Sequence, residues 1–445
     1  GKEPFAPPTV TLTADPAVIA LVESTTLTWL SQNATSAHID NGIGVVSVND
    51  SVVVSPEHTT TYTITATGPG GTAVDTVQVQ VLMTAPYFEE VDFGTGFEQQ
   101  GGGGIVGETV RILNGNVFES RTDLQFASVH SLGLAFAAAY NSRSIQLGDL
   151  GYGWTHTYAA MLETDVPLSG KTYLRIIGET GRAAYFLEDS PGLYKGAFAE
   201  KTYVEEFSGK YSWHRLNGSV FGFSADGKLS WIEDEKANRI DIGYDVQGYI
   251  QTVTDNSTGR ELVFNYNADG LLHFITGPIT NAVSDGIWVT FGYDADQNLS
   301  SVIYADGSGI DYLYDDANDI HNLTEKKNKA GHLIGTWGYD KQDRAKNNTT
   351  ASGKGVGIEY VSDTSVAVTD AYGTLRTYTI ADINGRKRVT AMQGTTLAPY
   401  SADTVIRWEY DAELNLTEAE YGGGLINHYQ DYDSRGNPQT VILAA

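Results

Sequence analysis

Nine histidines, 55 acidic side chains and no cysteine are the material from which this 445-residue chain could build a reactive centre. The histidines stand at 38, 58, 130, 156, 214, 273, 321, 332 and 428. No two of them lie four apart around a Glu, the spacing that sets two imidazoles and a base on one helix face for zinc hydrolysis. The lack of Cys removes thiolate metal sites, thiol nucleophiles and disulfide frameworks together. No G-x-S-x-G elbow or phosphate-binding loop occurs, and Asp306-Gly307-Ser308-Gly309 reads as a turn. Carboxylates are so abundant that a pair about five to ten ångströms apart, as glycoside hydrolysis needs, would arise from composition alone. Asp294-Ala295-Asp296-Gln297-Asn298 starts like a calcium loop. Leu299 stands where that loop needs Gly, however, and Ala305 where it needs a bidentate Glu, so the segment reads as a turn. Asp311, Asp315, Asp316 and Asp319 read as a solvated edge. The sequence therefore predicts no catalytic residue, no metal ligand and no cofactor.

Charge narrows the partners. The net charge is −27, and Lys2 is the only basic residue before Arg111, which argues against a phosphate backbone as partner. The longest apolar run, Leu132 to Tyr140, is far below the roughly 20 residues of a membrane-crossing helix, so no transmembrane segment is expected. With 41% apolar and 11% aromatic residues, the chain has ample material for a packed core. Gly1 in place of Met points to numbering that starts after processing or trimming.

The elements that must position any site are strands. From 9 to 82, Thr/Val runs alternate with period two between Pro, Gly and Asn/Asp turns. Trp29, Leu27, Tyr62, Ile64, Val77, Val79 and Val81 fall on one face, and Gly68-Pro69-Gly70-Gly71 reads as a hairpin between the last two strands. This part resembles bacterial immunoglobulin-like domains, without the cysteine pair of antibody domains. The tetraglycine at 101–104 marks a linker over 86–104. Strand-like runs continue from 105 to about 220, and no window keeps a helical apolar period.

Within that third region the residues Gly115-Asn116-Val117-Phe118-Glu119-Ser120-Arg121, then Tyr140-Asn141-Ser142, then Gly151-Tyr152-Gly153-Trp154 resemble the opening domain of Rhs (rearrangement hot spot) and YD-repeat proteins. That resemblance implies repeats downstream, and they occur. Tyr-Asp stands at Tyr244-Asp245, Tyr293-Asp294, Tyr314-Asp315, Tyr339-Asp340, Tyr410-Asp411 and Tyr432-Asp433, with degenerate copies from Phe223, Tyr266, Tyr360 and Tyr378. Five of the intervals are 21 or 22 residues, the mark of a repeat architecture. In each copy an aromatic ends a strand, Asp or Asn accepts backbone N–H groups, and Gly takes the positive-φ position, as at Gly248, Gly270 (with Asp269) and Gly436. One copy is then one hairpin, and hairpins joined edge to edge give one sheet with a ladder of tyrosines.

The expected fold is all-β: an immunoglobulin-like β-sandwich at 1–85, the linker at 86–104, an Rhs-type β-domain at 105–220 and a spiral sheet of YD hairpins at 221–445. By resemblance, the repeats form a hollow shell. The expected role is non-enzymatic: a secreted or cell-surface scaffold that encloses or displays its own C-terminal polypeptide. The alternative is an adhesin or filament subunit that binds glycans or adds strands from neighbouring copies. The chain stops within a copy, at 437–445, and its last hairpin is expected to be covered by a further element.

Overall fold

A computed structural model describes residues 5–20, 24–56, 60–82, 105–107, 109–126, 132–168, 170–280, 283, 285–384, 386–394, 405–421 and 424–443. The expected linker at 86–104 lies outside them, apart from its boundary. The chain divides into two units, Gly1–Ala85 and Pro86–Ala445. Every regular element among the described residues is a strand.

In the first unit, Thr9–Asp15, Thr25–Gln32 and Asp50–Val54 form a three-stranded sheet. Val18–Ala20, Gly71–Leu82, Thr60–Gly68, Ser36–Ile39 and Gly44–Val46 form a five-stranded one, in that spatial order. The alternating pattern of Thr25–Gln32 turns Leu27 and Trp29 inward, where they join Leu12, Ile39, Tyr62, Ile64 and Val79 in a core drawn from both sheets. Val77 packs partly buried against it, while the side chain of Val81 lies outside the described residues. The Trp29 indole N–H is satisfied by the Ser47 carbonyl at 2.8 Å. Gly68 pairs with Gly71 across the expected hairpin.

The second unit is dominated by a 26-stranded antiparallel sheet running from Met161–Leu168 to Pro438–Ile442, each strand bonded to the next in sequence. Consecutive pairing follows from short turns, which allow only antiparallel neighbours. Period-two alternation buries one face: in Arg260–Tyr266, Leu262 and Phe264 point into the core, while Arg260 and Glu261 stay in water. A smaller sheet packs on that buried face, in the order Trp154–His156, Ala135–Asn141, Asn116–Gln125, Val110–Arg111, Ile105–Val106. Phe136 of the small sheet meets Phe264 and Phe291 of the large one, with ring centroids 5.8 Å apart in each case. One continuous apolar cluster, from Val110 to Ala419, joins the two sheets. Over this stretch the buried face of the large sheet is thus filled by the opening segment's side chains.

Candidate functional site

The chemistry visible in the repeats is that of the turn. In the hairpin after Tyr244, Asp245 Oδ1 accepts the N–H groups of Gln247 and Tyr249, both at 2.9 Å, and Gly248 sits at φ 92°. Asp294, Asp340 and Asp433 accept the N–H groups two and four residues on at 2.9–3.0 Å, and Asp411 accepts that of Asn415 at 2.8 Å. These carboxylates are spent on backbone donors, which fixes the loop and its register. The turns after Tyr244, Tyr293, Tyr339 and Tyr410 are preceded by a register shift at the aromatic, as between Gly243 and Tyr244 and between Gly338 and Tyr339, whereas the last hairpin, at Tyr432, pairs without one. Such a bulge bends the strand and re-aims the side chain.

The tyrosine hydroxyls reach back one hairpin. Tyr244 donates to Leu229 O (2.8 Å), Tyr293 to Leu272 O (2.6 Å), Tyr314 to Leu299 O (3.1 Å), Tyr360 to Ala345 O (2.9 Å), and Tyr432 to Leu416 O. The acceptor in all five is the first residue after the preceding turn. Tyr339 and Tyr410 bond Leu323 O and Val389 O in the same sense. Burial pushes the phenols of Tyr314 and Tyr339 far above their ordinary range, so they remain neutral donors. The repeated tyrosine is therefore a staple between consecutive hairpins, and its spacing in sequence is the spacing of the staples.

Several expected turn residues take other parts. In the copy at Tyr266 the acceptor is Asn267, which receives the N–H of Asp269 and of Leu271; Asp269 supplies only its backbone. The Tyr266 hydroxyl turns to Asp149 Oδ2 at 3.4 Å. Asp315 caps no turn: its N–H bonds Thr324 Oγ1, and the chain runs on through residues 315–324 before the next strand. Tyr378 lies inside the strand Leu375–Ile383 rather than at a turn. Glycine is not general at the positive-φ position. Gln297 (φ 63°), Asp343 (φ 60°) and Leu414 (φ 59°) hold it, each costing about 1–2 kcal/mol that the carboxylate-capped loop offsets. Asp234, Asn328 and Asp370 cap equivalent turns with no tyrosine before them.

The rim made by these turns rests on earlier parts of the unit. Gly115 lies so close to Arg344 that a Cβ would overlap it, and Ala345 N–H bonds Gly115 O at 2.8 Å. Asn116 is fully buried; its Nδ2 donates to Asn141 Oδ1 at 3.0 Å, and its Oδ1 accepts the Arg143 N–H at 3.2 Å. Arg143 in turn donates to the carbonyls of Gln342 and Asp343. A Cβ on Gly151 would overlap the Gln297 carbonyl, Tyr152 stacks on His321 at 3.8 Å, Gly153 lies against the Tyr140 ring, and Trp154 Nε1 donates to Tyr314 OH at 2.8 Å. Further along, Leu162 N–H bonds Gly227 O at 2.8 Å. The Gly-Asn and Gly-Tyr-Gly-Trp strings thus dock the opening segment onto successive repeat turns.

Near its end the sheet meets its own beginning. Glu200, 3% exposed at its side chain, accepts Arg182 Nη2 at 2.5 Å and lies 3.9 Å from Arg386 Nη2. Its other oxygen accepts the Thr202 N–H at 3.0 Å and the Thr202 hydroxyl at 2.7 Å. The two arginines and the Thr202 donors outweigh burial and hold this carboxyl below the usual range. Lys201 bonds Asn415 Oδ1 and lies against Gly436. Eighteen strand steps separate Leu193–Gly196 from Arg386–Gly394 along the ladder. At about 4.8 Å per step, that is about 86 Å of wall closed on itself.

Asp343 is the most perturbed acid of the rim. Burial, with Asp319 and Asp316 nearby, pushes it up to about 6 against the opposing pull of Asn322 and Arg143. His156, fully buried, shares Asp149 Oδ2 at 3.3 Å while its Nδ1 accepts the Tyr158 N–H, an arrangement that locks the ring between the sheets. Among the described residues no three His, Asp or Glu side chains converge as a metal-binding group.

Two relatives from Dickeya dadantii (strain 3937) align with the chain. One, "Probable deoxyribonuclease RhsA", is 27% identical over 285 residues, 62% of this chain and 19% of its own length. The other, "Probable deoxyribonuclease RhsB", is 25% identical over 342 residues, 75% of this chain and 22% of its own. This likeness supports an Rhs/YD-repeat reading of the chain. This YD-repeat chain spans about a fifth of the length of these curated relatives. A family model described as a domain of unknown function, DUF6531, matches residues 107–186, the segment that docks on the repeat turns. A solved TcdB2-TccC3-Cdc42 structure aligns at a TM-score of 0.33 and 11% identity, covering 69% of this chain and 20% of the other.

Proposed function

We propose that this YD-repeat chain is a non-enzymatic, secreted or cell-surface scaffold whose coiled wall encloses or displays a polypeptide, in the way its family resemblance implies. The observation that carries this reading is the closure of the sheet on itself through Glu200, Arg386, Lys201 and Asn415, with the apolar face turned inward. A sheet that stacks coil on coil is a container wall; its carboxylates cap turns instead of converging on a reaction. In this reading residues 1–85 are an immunoglobulin-like module, 105–220 the opening domain that plugs the coil, and 221–445 the wall. The nuclease named in the relatives belongs to those proteins as wholes, of which this chain matches a fifth.

The test is protease protection. An unstable reporter polypeptide fused after residue 445 is digested in the wild-type chain and in a Glu200→Ala variant. Protection in the wild type that is lost in the variant supports enclosure; equal digestion in both overturns it. Plasmid degradation by the purified chain, abolished by one carboxylate substitution, would overturn the non-enzymatic part. The exposed Val441 and Ile442 on the last strand favour strand addition by neighbouring copies as a second reading. Electron microscopy separates the two, because filaments appear only under the second.

A further inference from the structure

Where the coil closes, one contact joins a nucleophile to an electrophile. Lys201 and Asn415, 214 residues apart in sequence, are hydrogen-bonded through Nζ and Oδ1, which sets the amine beside the Cγ of the amide. Both side chains belong to half-buried residues. Lys201 is anchored through its two chain neighbours: Glu200 is held by Arg182, and the Thr202 hydroxyl accepts the Trp213 indole N–H at 2.8 Å. Its stem lies against Gly436, where a Cβ would crowd Cδ, Cε and Nζ.

Asn415 is oriented from the other side. Its Nδ2 donates to Asp411 Oδ2 and its backbone N–H to Asp411 Oδ1, each at 2.8 Å, so the amide carbonyl faces the lysine. The same pairing recurs at Asp234–Asn238, Asp294–Asn298 and Asp433–Asn437. Among the described residues no lysine bonds the carbonyl of those three amides, and that of Asn298 meets the His321 ring instead. Burial lowers the Lys201 ammonium below its ordinary value against the pull of Asp411, Glu413 and Asp433, which raises the share of free amine. A lysine desolvated in this way is an activated nucleophile.

We propose that Lys201 and Asn415 condense into an intramolecular isopeptide bond that locks a late turn of the coil to its early strands. The deprotonated Lys201 amine attacks Asn415 Cγ. A bond forms between Nζ and Cγ, the bond from Cγ to Nδ2 breaks, and the Nδ2 nitrogen departs as ammonia. Asp411 Oδ2, already bonded to Nδ2, takes the proton shed by Nζ and passes it to the leaving nitrogen. One amide replaces another, so the step balances without an oxidant, reductant or co-reactant, and the fixed proximity of the two groups supplies the rate. The inference rests on this contact alone and holds whether or not the wall encloses a polypeptide.

The experiment is mass spectrometry on the purified full chain, intact under denaturing conditions and after trypsin digestion. The expected intact mass is lower than the sequence mass by one ammonia, and the peptides that contain Lys201 and Asn415 are recovered as one branched species, uncut after Lys201. Lys201→Arg keeps a donor for Asn415 Oδ1 but stays protonated, so it should show the full mass and two separate peptides. Asp411→Asn, whose amide can cap the loop as Asn267 and Asn328 cap theirs, should leave most chains unlinked. A folded wild type with the full mass and separate peptides overturns the proposal and leaves a hydrogen bond only. Ammonia loss without the branched peptide assigns a cyclised asparagine and also overturns it, and a branched peptide at wild-type level in Asp411→Asn overturns the part given to Asp411. Thermal melts establish that each chain is folded. Protection of the fused reporter is read separately, so the bond and the enclosure can fail independently.

Discussion

Replacing Glu200 by Ala removes a carboxylate that faces both Arg182 and Arg386, and with it the acceptor for the N–H and hydroxyl of Thr202. Glu200 is 3% exposed and Arg386 10%, so the arginines left behind are poorly hydrated; Arg182, at 20%, recovers some water. Breaking a buried pair by deleting one partner costs about 3–5 kcal/mol, and the partial exposure of Arg182 favours the lower end, about 3 kcal/mol. At 1.4 kcal/mol per factor of ten, that is about a hundredfold rise in local opening. Hydrogen exchange is the assay, because it reads opening strand by strand. Protection should fall in the segment around 183–207 and, despite its distance in sequence, in the strands over 386–394 and 405–421. If protection falls only around 183–207 while the late strands keep wild-type exchange, the two ends of the ladder do not lean on each other and the closed wall is wrong. Glu200→Gln, which keeps an acceptor for Thr202 but no charge, should fall between the two.

The tyrosine staples predict a gradient: Tyr339→Phe leaves the Leu323 carbonyl unpaired at a buried site and should cost about 1–3 kcal/mol in urea unfolding, whereas Tyr432→Phe at the more open last hairpin should cost under about 1 kcal/mol. Asp343 predicts a pH effect: its folded value of about 6 lies above the ordinary carboxyl range, so the stability it contributes is fully present below the unfolded value near 4 and is lost as pH rises through 6. The stability of the wild type relative to Asp343→Asn should therefore fall between about pH 4 and pH 6.5 and level off above that, and a flat difference would show that the carboxyl is not buried against Asp319 and Asp316.

How much of this was legible beforehand depends on whether the information was local. Period-two alternation at Leu262 and Phe264, the Asp-x-x-Gly loops and the near-constant tyrosine interval are properties of a few adjacent residues, and they determined an all-β chain of consecutive hairpins and the place of most turns. The likeness of Gly115-Asn116 and Gly151-Tyr152-Gly153-Trp154 to a known opening domain was also visible, but their task was not. Those glycines matter because backbones from residues 297 and 344 pass within van der Waals distance, and such closeness is created only by folding. The same holds for Asp343, which takes a position that glycine could fill because Arg143, two hundred residues earlier, lies across from it. Composition and spacing set the hairpin and its staple, since both are made within one or two copies. Which hairpins touch which earlier residues, and therefore that the wall closes at Glu200, was decided by the accumulated bend of the sheet, a sum over many bulges and turns that no single window of sequence contains.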